Sequence, residues 1–440
     1  MKRSSRFVAM AVSSLLLLAS AVLQGAAQES SYVDCFFDSL TSPLGIMGAA
    51  RQMVALEATG DGVDDLLIGV VSSAESGSDY WQLLLLEGPL DVETQVQKHL
   101  IERELPAETV TARFSPGDFN GDDLLDVFLT LVVRAGFDPQ GAALLDSEVL
   151  FYEGVDIHQF AEPISMMGSD SVVSCVSMAE VADMDGDGVA DLISLDPCGG
   201  RIRLVLGSPS GVAAFSHRVL QLAEHTPLSF ALGRDGSTGQ LNLAVAALHR
   251  DSAASGSTPL DYGLFVLALP DFLSGPAIPP IASEPLVRLH SASIPTLQLV
   301  DLDSDAVLDL VFMTSHSISW IGSINDAELE EIAVRELFEV ATLTGEFRAS
   351  DVNLDGFPDL VVVSQLPSEI ELILTSSCSL TDVNCTATSI SWAVPITAWT
   401  AQDSADDSDA VLLFCTEGCD VSGEPLQESC SSLHMVLDCE

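Results

Sequence analysis

Short apolar runs rich in Leu, Val and Ile recur along the chain between turns of Gly, Asp and Ser. One set follows an acidic turn and comprises Leu66–Val71, Val127–Val133, Leu192–Leu195, Leu310–Met313 and Leu360–Val363. Another set ends next to a glycine and comprises Leu83–Leu86, Val149–Tyr152, Ile202–Leu206 and Ile318–Ile321. β-like runs such as Ser174–Val181 and Thr296–Val300 precede the turns. Evenly spaced short runs of this kind predict an all-β chain of repeated units with three or four strands each.

The acidic turns share a fixed pattern of oxygen-bearing residues. Asp or Asn stands at positions 1, 3, 5 and 9, and the aliphatic run follows. The clear copies are Asp118, Asn120, Asp122 and Asp126; Asp183, Asp185, Asp187 and Asp191; Asp301, Asp303, Asp305 and Asp309; and Asp351, Asn353, Asp355 and Asp359. A looser copy has Glu57, Thr59, Asp61 and Asp65 at the same positions.

Two degenerate copies complete the series. One begins near residue 234 and keeps Asn242 and Leu243 at its exit, and the other lies near residue 401. The turns then start near residues 57, 118, 183, 234, 301, 351 and 401, at intervals of 50 to 67 residues. Such repeats are typical of β-propellers, and an open sheet of so many strands would not stay open. We therefore predict that residues 28–440 form a single seven-bladed β-propeller with a cysteine-rich C-terminal end.

The turns have the composition of calcium-binding loops. Side chains at alternate positions of a tight loop point inward, so the oxygens at positions 1, 3 and 5 converge, and Gly at position 6 permits a positive φ. The residue at position 9 returns to the same centre as the next strand begins. Without a cation these carboxylates would repel one another, and Ca²⁺ prefers oxygen ligands of this kind. The five better turns predict about four to five Ca²⁺ sites, and we expect the turns near residues 234 and 401 to be empty.

An EF-hand shares the first six positions of these turns, but it requires Glu at position 12 and a helix on either side. The residues at position 12 are Ile68, Leu129, Ser194, Phe312 and Val362. None of them has a carboxylate, and the flanking runs have β character. The pattern therefore excludes an EF-hand.

The turns resemble the FG-GAP or VCBS repeat, which occurs in the propellers of integrin α-chains and in many secreted propeller proteins. The resemblance covers nearly all of residues 28–440 and implies a seven-bladed propeller with Ca²⁺ ligands at positions 1, 3, 5 and 9. The chain departs from the family pattern after the second strand, where Val70 and Val71 follow Gly69 in place of Ala-Pro. Integrin-like adhesion therefore does not follow. The layout is similar to that of secreted stand-alone propellers and T-cell immunomodulatory-type proteins.

The charge of the chain excludes several partners. Lys and Arg total 16 against 65 Asp and Glu, which gives a net charge of −49. Residues 1–27 hold three basic and no acidic residues, so their removal would leave −52. Nucleic acids and anionic lipid surfaces both require a basic face. Disorder does not follow from this charge, because the chain is rich in aliphatic residues.

The first residues have the pattern of a secretory signal. Lys2, Arg3 and Arg6 precede an apolar run from Phe7 to Leu23, and small residues follow at positions 25–27. This order predicts a cleaved signal peptide at residues 1–27, a secreted, extracellular protein and no membrane span in the mature chain.

The nine cysteines lack the paired spacing of a zinc site, so we expect disulfides. Disulfides form in oxidising compartments, which agrees with export. Cys175 and Cys198 lie at nearly equal distances on either side of Asp187, so a hairpin centred there predicts that they bond. Cys378 and Cys385 would close a short loop, and Asn384 lies in a glycosylation sequon. The pairing of Cys35, Cys415, Cys419, Cys430 and Cys439 is left open. Tyr32–Phe37 would serve as the outer strand of the last blade and close the ring.

Three classes of function fit this chain. The favoured one is a non-catalytic extracellular module that binds an unidentified protein or glycan, with Ca²⁺ as a structural staple. An enzyme such as a polysaccharide lyase would need acid–base groups, whereas the eight His and four Tyr are scattered and no GxSxG, HExxH or P-loop motif occurs. A disulfide-linked structural component would use the odd cysteine. The four Trp are expected in the blade cores, although an exposed ring of them would indicate glycan stacking.

Overall fold

The computed structural model describes residues 40–436, except for 48, 64, 74–76, 89–96, 138–142, 167–175, 177, 251–258, 270–272, 274–283, 304, 316, 323, 325–333, 340–344, 351–357, 365–368, 374–386, 392–395, 403–410 and 418–429. The first fifteen strands are β1 (Leu40–Met47), β2 (Ala49–Leu56), β3 (Asp65–Ser73), β4 (Asp79–Leu86), β5 (Gln97–Glu104), β6 (Thr109–Gly117), β7 (Asp126–Phe137), β8 (Ala143–Tyr152), β9 (Gly154–Asp156), β10 (Gln159–Phe160), β11 (Ile164–Ser165), β12 (Met178–Ala182), β13 (Asp191–Asp196), β14 (Arg201–Leu206) and β15 (Ser216–Leu220). The others are β16 (His225–Arg234), β17 (Leu241–His249), β18 (Leu260–Ala268), β19 (Val287–Ser291), β20 (Thr296–Val300), β21 (Asp309–Met313), β22 (Ser317–Ile321), β23 (Arg335–Glu339), β24 (Gly345–Ser350), β25 (Asp359–Ser364), β26 (Glu369–Ile373), β27 (Ala387–Ser391), β28 (Ile396–Gln402), β29 (Val411–Glu417) and β30 (Cys430–Val436). A 3₁₀ turn at Val212–Ala214 lies between β14 and β15.

The strands of the described residues form seven four-stranded antiparallel sheets and one small hairpin, β9–β10. In chain order, sheet 1 is β2–β5, sheet 2 is β6, β7, β8 and β11, sheet 3 is β12–β15, sheet 4 is β16–β19, sheet 5 is β20–β23 and sheet 6 is β24–β27. Sheet 7 has the order β28-β29-β30-β1, so its outer strand comes from the N-terminal side of the chain. The runs predicted from the sequence coincide with the second and third strands, for example Leu310–Met313 within β21.

The sheets follow one another around a closed ring. Neighbouring sheets contact each other in turn: β2 contacts β6, β6 contacts β12, and β13 and β14 contact β16. The series continues from β16 to β20, β24 and β28, and β28 contacts β2. Sheets arranged radially with a closing contact have the architecture of a β-propeller. The predicted all-β propeller is therefore confirmed.

The ring is closed by a different strand from the one expected. The sequence pattern predicts Tyr32–Phe37 as the outer strand of the last sheet, and this segment lies outside the described residues. In the structure Leu40–Met47 pairs antiparallel with β30, with Leu40 opposite Met435 and Met47 opposite Cys430. This strand contains Pro43 and Gly45, residues that weaken a β pattern, and a bulge separates Pro43 from Ile46. Proline is tolerated there because β1 is an edge strand.

Apolar clusters join consecutive sheets from sheet 1 to sheet 6. Trp81 and Phe114 pack between sheets 1 and 2, and the remaining interfaces are filled in the same way by Leu, Val, Ile and Phe. The second strand of a sheet is apolar on both faces. In β13, Leu192 packs toward sheet 2 and Ile193 toward sheet 4. This two-sided burial explains why the second strands have continuous rather than alternating apolar runs.

Polar side chains on the first strands bridge to the backbone of the following sheet. Gln52 Oε1 accepts the Phe114 N–H at 2.9 Å, and Gln298 Oε1 accepts the Ala349 N–H at 2.7 Å. The carboxylate of Glu180 likewise accepts the Leu232 N–H. The same bridge thus recurs between sheets 1 and 2, 3 and 4, and 5 and 6. It satisfies N–H groups at the inner edges of the sheets.

Among the described residues, no helix has the length and hydropathy that crossing a bilayer requires. Cys198 is disulfide-bonded. Its predicted partner Cys175 lies outside the described residues, as do Cys378, Cys385, Asn384 and the predicted signal peptide at residues 1–27. The pairing stays a prediction.

Glu180 provides a test of the inner bridges through pH. Burial raises the pKa of its carboxyl from 4.5 to about 7, while the Leu232 N–H and Arg348 act to lower it. The folded state therefore binds this proton more tightly than the unfolded state, and its contribution to stability is lost as pH rises from about 4.5 through 7. The side chain in Glu180→Gln cannot ionise. Denaturant titrations at pH 5 and pH 8 measure how much the unfolding free energy falls between the two pH values. This fall should be roughly 2–3 kcal/mol smaller in Glu180→Gln than in the wild type. Glu102→Gln, on the outer strand β5, should follow the wild-type profile. Identical profiles for wild type and Glu180→Gln would contradict the assignment.

Candidate metal centre

Each acidic turn closes the first hairpin of its sheet in the same register. The residue at position 9 pairs with the residue that precedes position 1, as in Leu56 opposite Asp65, Gly117 opposite Asp126, Ala182 opposite Asp191 and Val300 opposite Asp309. The flanking elements are strands, so the exclusion of an EF-hand is confirmed. The shared register means that corresponding positions of the turns are structurally equivalent.

The carboxylate at position 9 is buried and accepts hydrogen bonds from two distant parts of its sheet. Asp65, Asp126, Asp191 and Asp309 are each 0% exposed. In sheet 3, Asp191 Oδ2 accepts the N–H of Met184 at 2.7 Å and Oδ1 accepts the N–H of Gly207 at 2.7 Å. Equivalent pairs of donors bind Asp65 and Asp126. Position 9 therefore fixes the turn to the end of the third strand, and each oxygen keeps a second lone pair for a metal.

The glycine after the third strand is required by this contact. A Cβ at Gly207 would lie 2.3 Å from the Ala190 carbonyl oxygen, and one at Gly154 would lie 2.5 Å from the Leu125 carbonyl oxygen. Both carbonyls belong to position 8 of the turn, so the third strand passes directly over the turn. The sequence pattern showed these glycines, but their purpose is visible only in the fold.

The carboxylate at position 1 organises the turn itself. Asp183 Oδ1 accepts the Gly186 N–H at 2.7 Å, and Oδ2 accepts the Gly188 N–H at 3.1 Å. Asp118 and Asp301 make the same kind of bonds to positions 4–6 of their turns. In the first turn Glu57 takes this role toward Gly60 and Asp61. Position 1 thus holds the loop in a shape that directs the next ligands inward.

Position 6 has a positive φ in every turn that the structure describes, as the sequence predicted. The residues and angles are Gly62 at 82°, Asp123 at 64°, Gly188 at 88°, Gly239 at 70° and Ala306 at 68°. This region favours glycine, and Ala lacks the polar side chain that lets Asp tolerate it. The turn at Asp301 therefore carries backbone strain that the turn at Asp183 avoids.

Among the turns that the structure describes, carboxylates converge in two. One oxygen from each of Asp183, Asp185 and Asp187 lies within 4.8 Å of the others, and the same holds for Asp301, Asp303 and Asp309. Calcium ligands lie about 2.3–2.6 Å from the ion, so ligands on opposite sides are separated by up to about 5 Å. The spacing fits a single Ca²⁺ in each turn.

The turn at Asp118 gains a carboxylate that the sequence analysis missed. Asn120 Nδ2 donates to Asp122 Oδ2 at 3.1 Å and to Glu153 Oε1 at 3.2 Å. Glu153 directly follows β8, and only the folded sheet brings it to the turn. This turn therefore presents Glu153 beside the expected Asp118, Asn120 and Asp122.

The pKa values of several carboxyls in these turns are raised, mainly by burial. Burial raises the pKa of Asp126 to about 7 and that of Asp191 to about 6, and nearby acidic side chains add to the effect. Burial and then repulsion by Asp187 raise the pKa of Asp185, and burial and Asp305 do the same for Asp303. A bound dication would reverse this cost by stabilising the ionised forms.

The first turn contains an unsatisfied ligand atom. Thr59 Oγ1 is buried and has no hydrogen-bond partner. Oxygen ligands at Glu57 and Asp61 lie at the neighbouring odd positions of the same turn. A buried hydroxyl without a partner costs free energy that a metal contact would offset. This atom supports a metal site in the turn at Glu57, which has the loosest pattern of the five better turns.

The degenerate fourth turn holds its shape without a ladder of carboxylates. Asp235 is buried, and its Oδ1 accepts bonds from the N–H and hydroxyl groups of Ser237 and Thr238 at 2.5–3.0 Å. Asn242 stands at position 9 opposite Gly233. That this turn binds no metal stays a prediction. The turn at Asp351, Asn353 and Asp355, the side chain of Asp359, and the turn near residue 401 lie outside the described residues.

Three histidines and two tryptophans have contacts that account for them without catalysis or glycan stacking. His158 Nε2 lies 2.8 Å from both Lys98 Nζ and Glu87 Oε1. The rings of His225 and His249 pack edge to face at 5.0 Å, and His225 is buried against Phe265. Trp81 is 0% and Trp320 is 5% exposed, so neither can stack on a glycan. Trp392 and the side chain of Trp399 lie outside the described residues.

No family model and no curated protein matches this chain. Solved structures with partial likeness include a lectin from Agrocybe aegerita described as recognising non-reducing terminal N-acetylglucosamine, with 12% identity over 78% of this chain and 81% of the lectin and a TM-score of 0.45. An α-L-arabinofuranosidase from Fusarium graminearum shares 10% identity over 92% of this chain and 98% of the enzyme, with a TM-score of 0.42. The Dos1 propeller shares 10% identity over 90% of this chain and 95% of its own, with a TM-score of 0.43. Likeness at this level carries nothing about ligand or activity.

Position 6 can be tested by exchanging residues between turns. Ala306→Gly should stabilise the protein by about 1 kcal/mol because it removes the cost of a positive φ. Gly188→Ala should destabilise it by a similar amount, since nothing lies within 4 Å of the added Cβ and only backbone strain remains. Chemical denaturation in EDTA measures both effects. Changes of the same sign in the two variants would be inconsistent with the strain.

The close passage at Gly207 gives a second test. Gly207→Ala should destabilise the protein by about 2 kcal/mol or more, because the Cβ would overlap the Ala190 carbonyl and push the Gly207 N–H away from Asp191. Ser210→Ala, at an exposed position of the same connection, serves as the control and should leave the denaturation midpoint nearly unchanged. A midpoint for Gly207→Ala equal to that of the control would refute the role of this glycine.

Proposed function

We propose that this chain is a secreted, calcium-binding, seven-bladed β-propeller of the FG-GAP/VCBS type. It acts as a non-catalytic extracellular module that binds a protein or a glycan. The single observation that carries the proposal is the convergence of Asp183, Asp185 and Asp187 within one turn. Three carboxylates of a single turn lie at ligand spacing on a framework of hydrogen bonds that already has the required shape.

Further contacts support calcium as a structural element of each sheet. The turn joins the first two strands, and Asp191 binds it to the end of the third strand through Gly207. An ion at positions 1, 3 and 5 would neutralise the charge beside this buried carboxylate. Calcium would then stiffen the corner of each blade, and the loops around the ring would be held firmly enough to present a binding surface.

A binding role is favoured because the recurring motifs of the chain consist of metal ligands and not of acid–base groups. Among the described histidines, His158 lies in an ion cluster around Lys98, and His225 packs against Phe265. A glycan array and a pull-down with the calcium-loaded protein address the ligand. Turnover of a polysaccharide by the purified protein would favour the alternative of a lyase, and a disulfide-linked dimer on non-reducing gels would favour an assembly role.

Calcium should control stability. Removal of metal with EDTA should lower the melting temperature by several degrees, and millimolar Ca²⁺ should restore it, because an ion that binds only the folded state stabilises it by mass action. Mg²⁺ at the same concentration should restore less, since it demands a tighter octahedral geometry. Melting curves that coincide in EDTA and Ca²⁺ would reject the metal.

A pair of variants separates metal binding from the structural role of the turn. Asp185→Asn/Asp187→Asn keeps the acceptors for the Asp187 and Val189 N–H groups but removes two charges from the site. The variant should match or exceed the wild-type melting temperature in EDTA, because repulsion is relieved, and it should gain less from Ca²⁺. Glu102→Gln/Glu104→Gln removes the same charge from the outer strand β5 and should keep the full Ca²⁺ response. An undiminished response in the turn variant would place the ions elsewhere.

A further inference from the structure

The fourth turn carries the opposite charge at the position where the other turns have an acidic ligand. Asn242 pairs with Gly233, so Arg234 occupies position 1 of this turn. Asp183 occupies position 1 in the third turn, which lies in the neighbouring sheet. The exchange replaces a calcium ligand with a guanidinium. From the sequence pattern this turn is recognised only as a degenerate copy.

The guanidinium of Arg234 joins the two turns. Its Nη1 donates to the Gly239 carbonyl oxygen of its own turn at 2.9 Å, and its Nη2 donates to the Asp183 carbonyl oxygen of the third turn at 3.2 Å. The guanidinium therefore contacts the main chain of the residue whose side chain occupies position 1 of the third turn. Charges that lie within the screening length of about 8 Å still interact at physiological ionic strength.

The fourth turn is otherwise complete without an ion. Asp235 binds Ser237 and Thr238, and position 6 is Gly239 with a φ of 70°. A carbonyl of this turn and a carbonyl of the third turn converge on one cation, and that cation is a side chain.

From these contacts we infer that Arg234 is a resident cation that takes the place of a metal in the fourth turn and positions the third turn through the Asp183 carbonyl. The inference rests in part on the proposed function, because the third turn is the proposed calcium site with the most regular ligands. Arg234 would hold that turn in shape in the absence of calcium, and its charge would weaken calcium binding there.

Removal of Arg234 should increase the rise in melting temperature that Ca²⁺ causes, for two reasons. Loss of the hydrogen bonds should destabilise the metal-free protein, and loss of the positive charge should strengthen Ca²⁺ binding at the third turn by about two- to fivefold. Arg234→Gln should therefore show a lower melting temperature in EDTA and a larger Ca²⁺-induced rise than the wild type. Arg234 makes the stability of the wild type less dependent on calcium.

Two further variants separate charge from geometry. Arg234→Lys keeps the charge but cannot donate from two nitrogens of one planar group. It should resemble Arg234→Gln in EDTA and the wild type in Ca²⁺ affinity, measured by isothermal titration calorimetry. Arg288→Gln removes an exposed arginine from the outer strand β19 and should match the wild type in both measurements.

The outcomes distinguish this inference from the calcium proposal. A Ca²⁺-induced rise in Arg234→Gln that equals or falls below that of the wild type would overturn the resident cation, as would equal melting temperatures of Arg234→Gln and Arg288→Gln in EDTA. Absence of any Ca²⁺ response in the wild type would reject the proposed calcium function. In that case the comparison in EDTA would still decide whether Arg234 joins the two turns.

Discussion

The buried carboxylate at position 9 is the contact on which the sheets with acidic turns depend. Through two hydrogen bonds it fixes the start of the turn and the end of the third strand to the start of the second strand. Three segments far apart in sequence thereby meet at one side chain. The cost is the burial of an ionisable group, which appears in the raised pKa values of Asp126 and Asp191. The architecture therefore couples the packing of each sheet to the charge of the turn next to it, and a dication in the turn would relieve the cost at its source.

This coupling gives the acidity of the chain a structural interpretation. A net charge of −49 opposes compaction if the charges are left unbalanced. Within the turns, main-chain N–H groups already solvate the carboxylates at positions 1, 5 and 9, so the backbone alone can hold the loop. What the backbone cannot supply is positive charge. A bound cation would supply it in the turns with a full set of ligands, and Arg234 supplies it beside the third turn.

Much of the fold could be predicted from the sequence because its determinants are local. Apolar runs next to acidic turns identify β3, β7, β13, β21 and β25, and the repeat interval implies a ring of sheets. The features that escaped prediction depend on contacts between distant residues. Glu153 reaches the turn at Asp118 only through the pairing of β7 with β8, and Leu40–Met47 has no β pattern of its own until β30 provides a partner. The position-9 residues were expected as metal ligands alone, and their bonds to the glycine after the third strand could not be inferred from spacing.

The fourth turn separates what the backbone requires from what a metal requires. It retains a glycine with a positive φ at position 6 and a buried polar residue, Asn242, at position 9. It has lost the acidic residues at positions 1, 3 and 5. The fourth turn keeps its hairpin without the acidic ligands because Asp235 accepts the N–H groups of Ser237 and Thr238, a role that the position-1 carboxylate has in the other described turns. The hairpin therefore forms whether or not the side chains around its centre could bind an ion. Position 6 must turn in either case, which is why Ala306 has a strained φ.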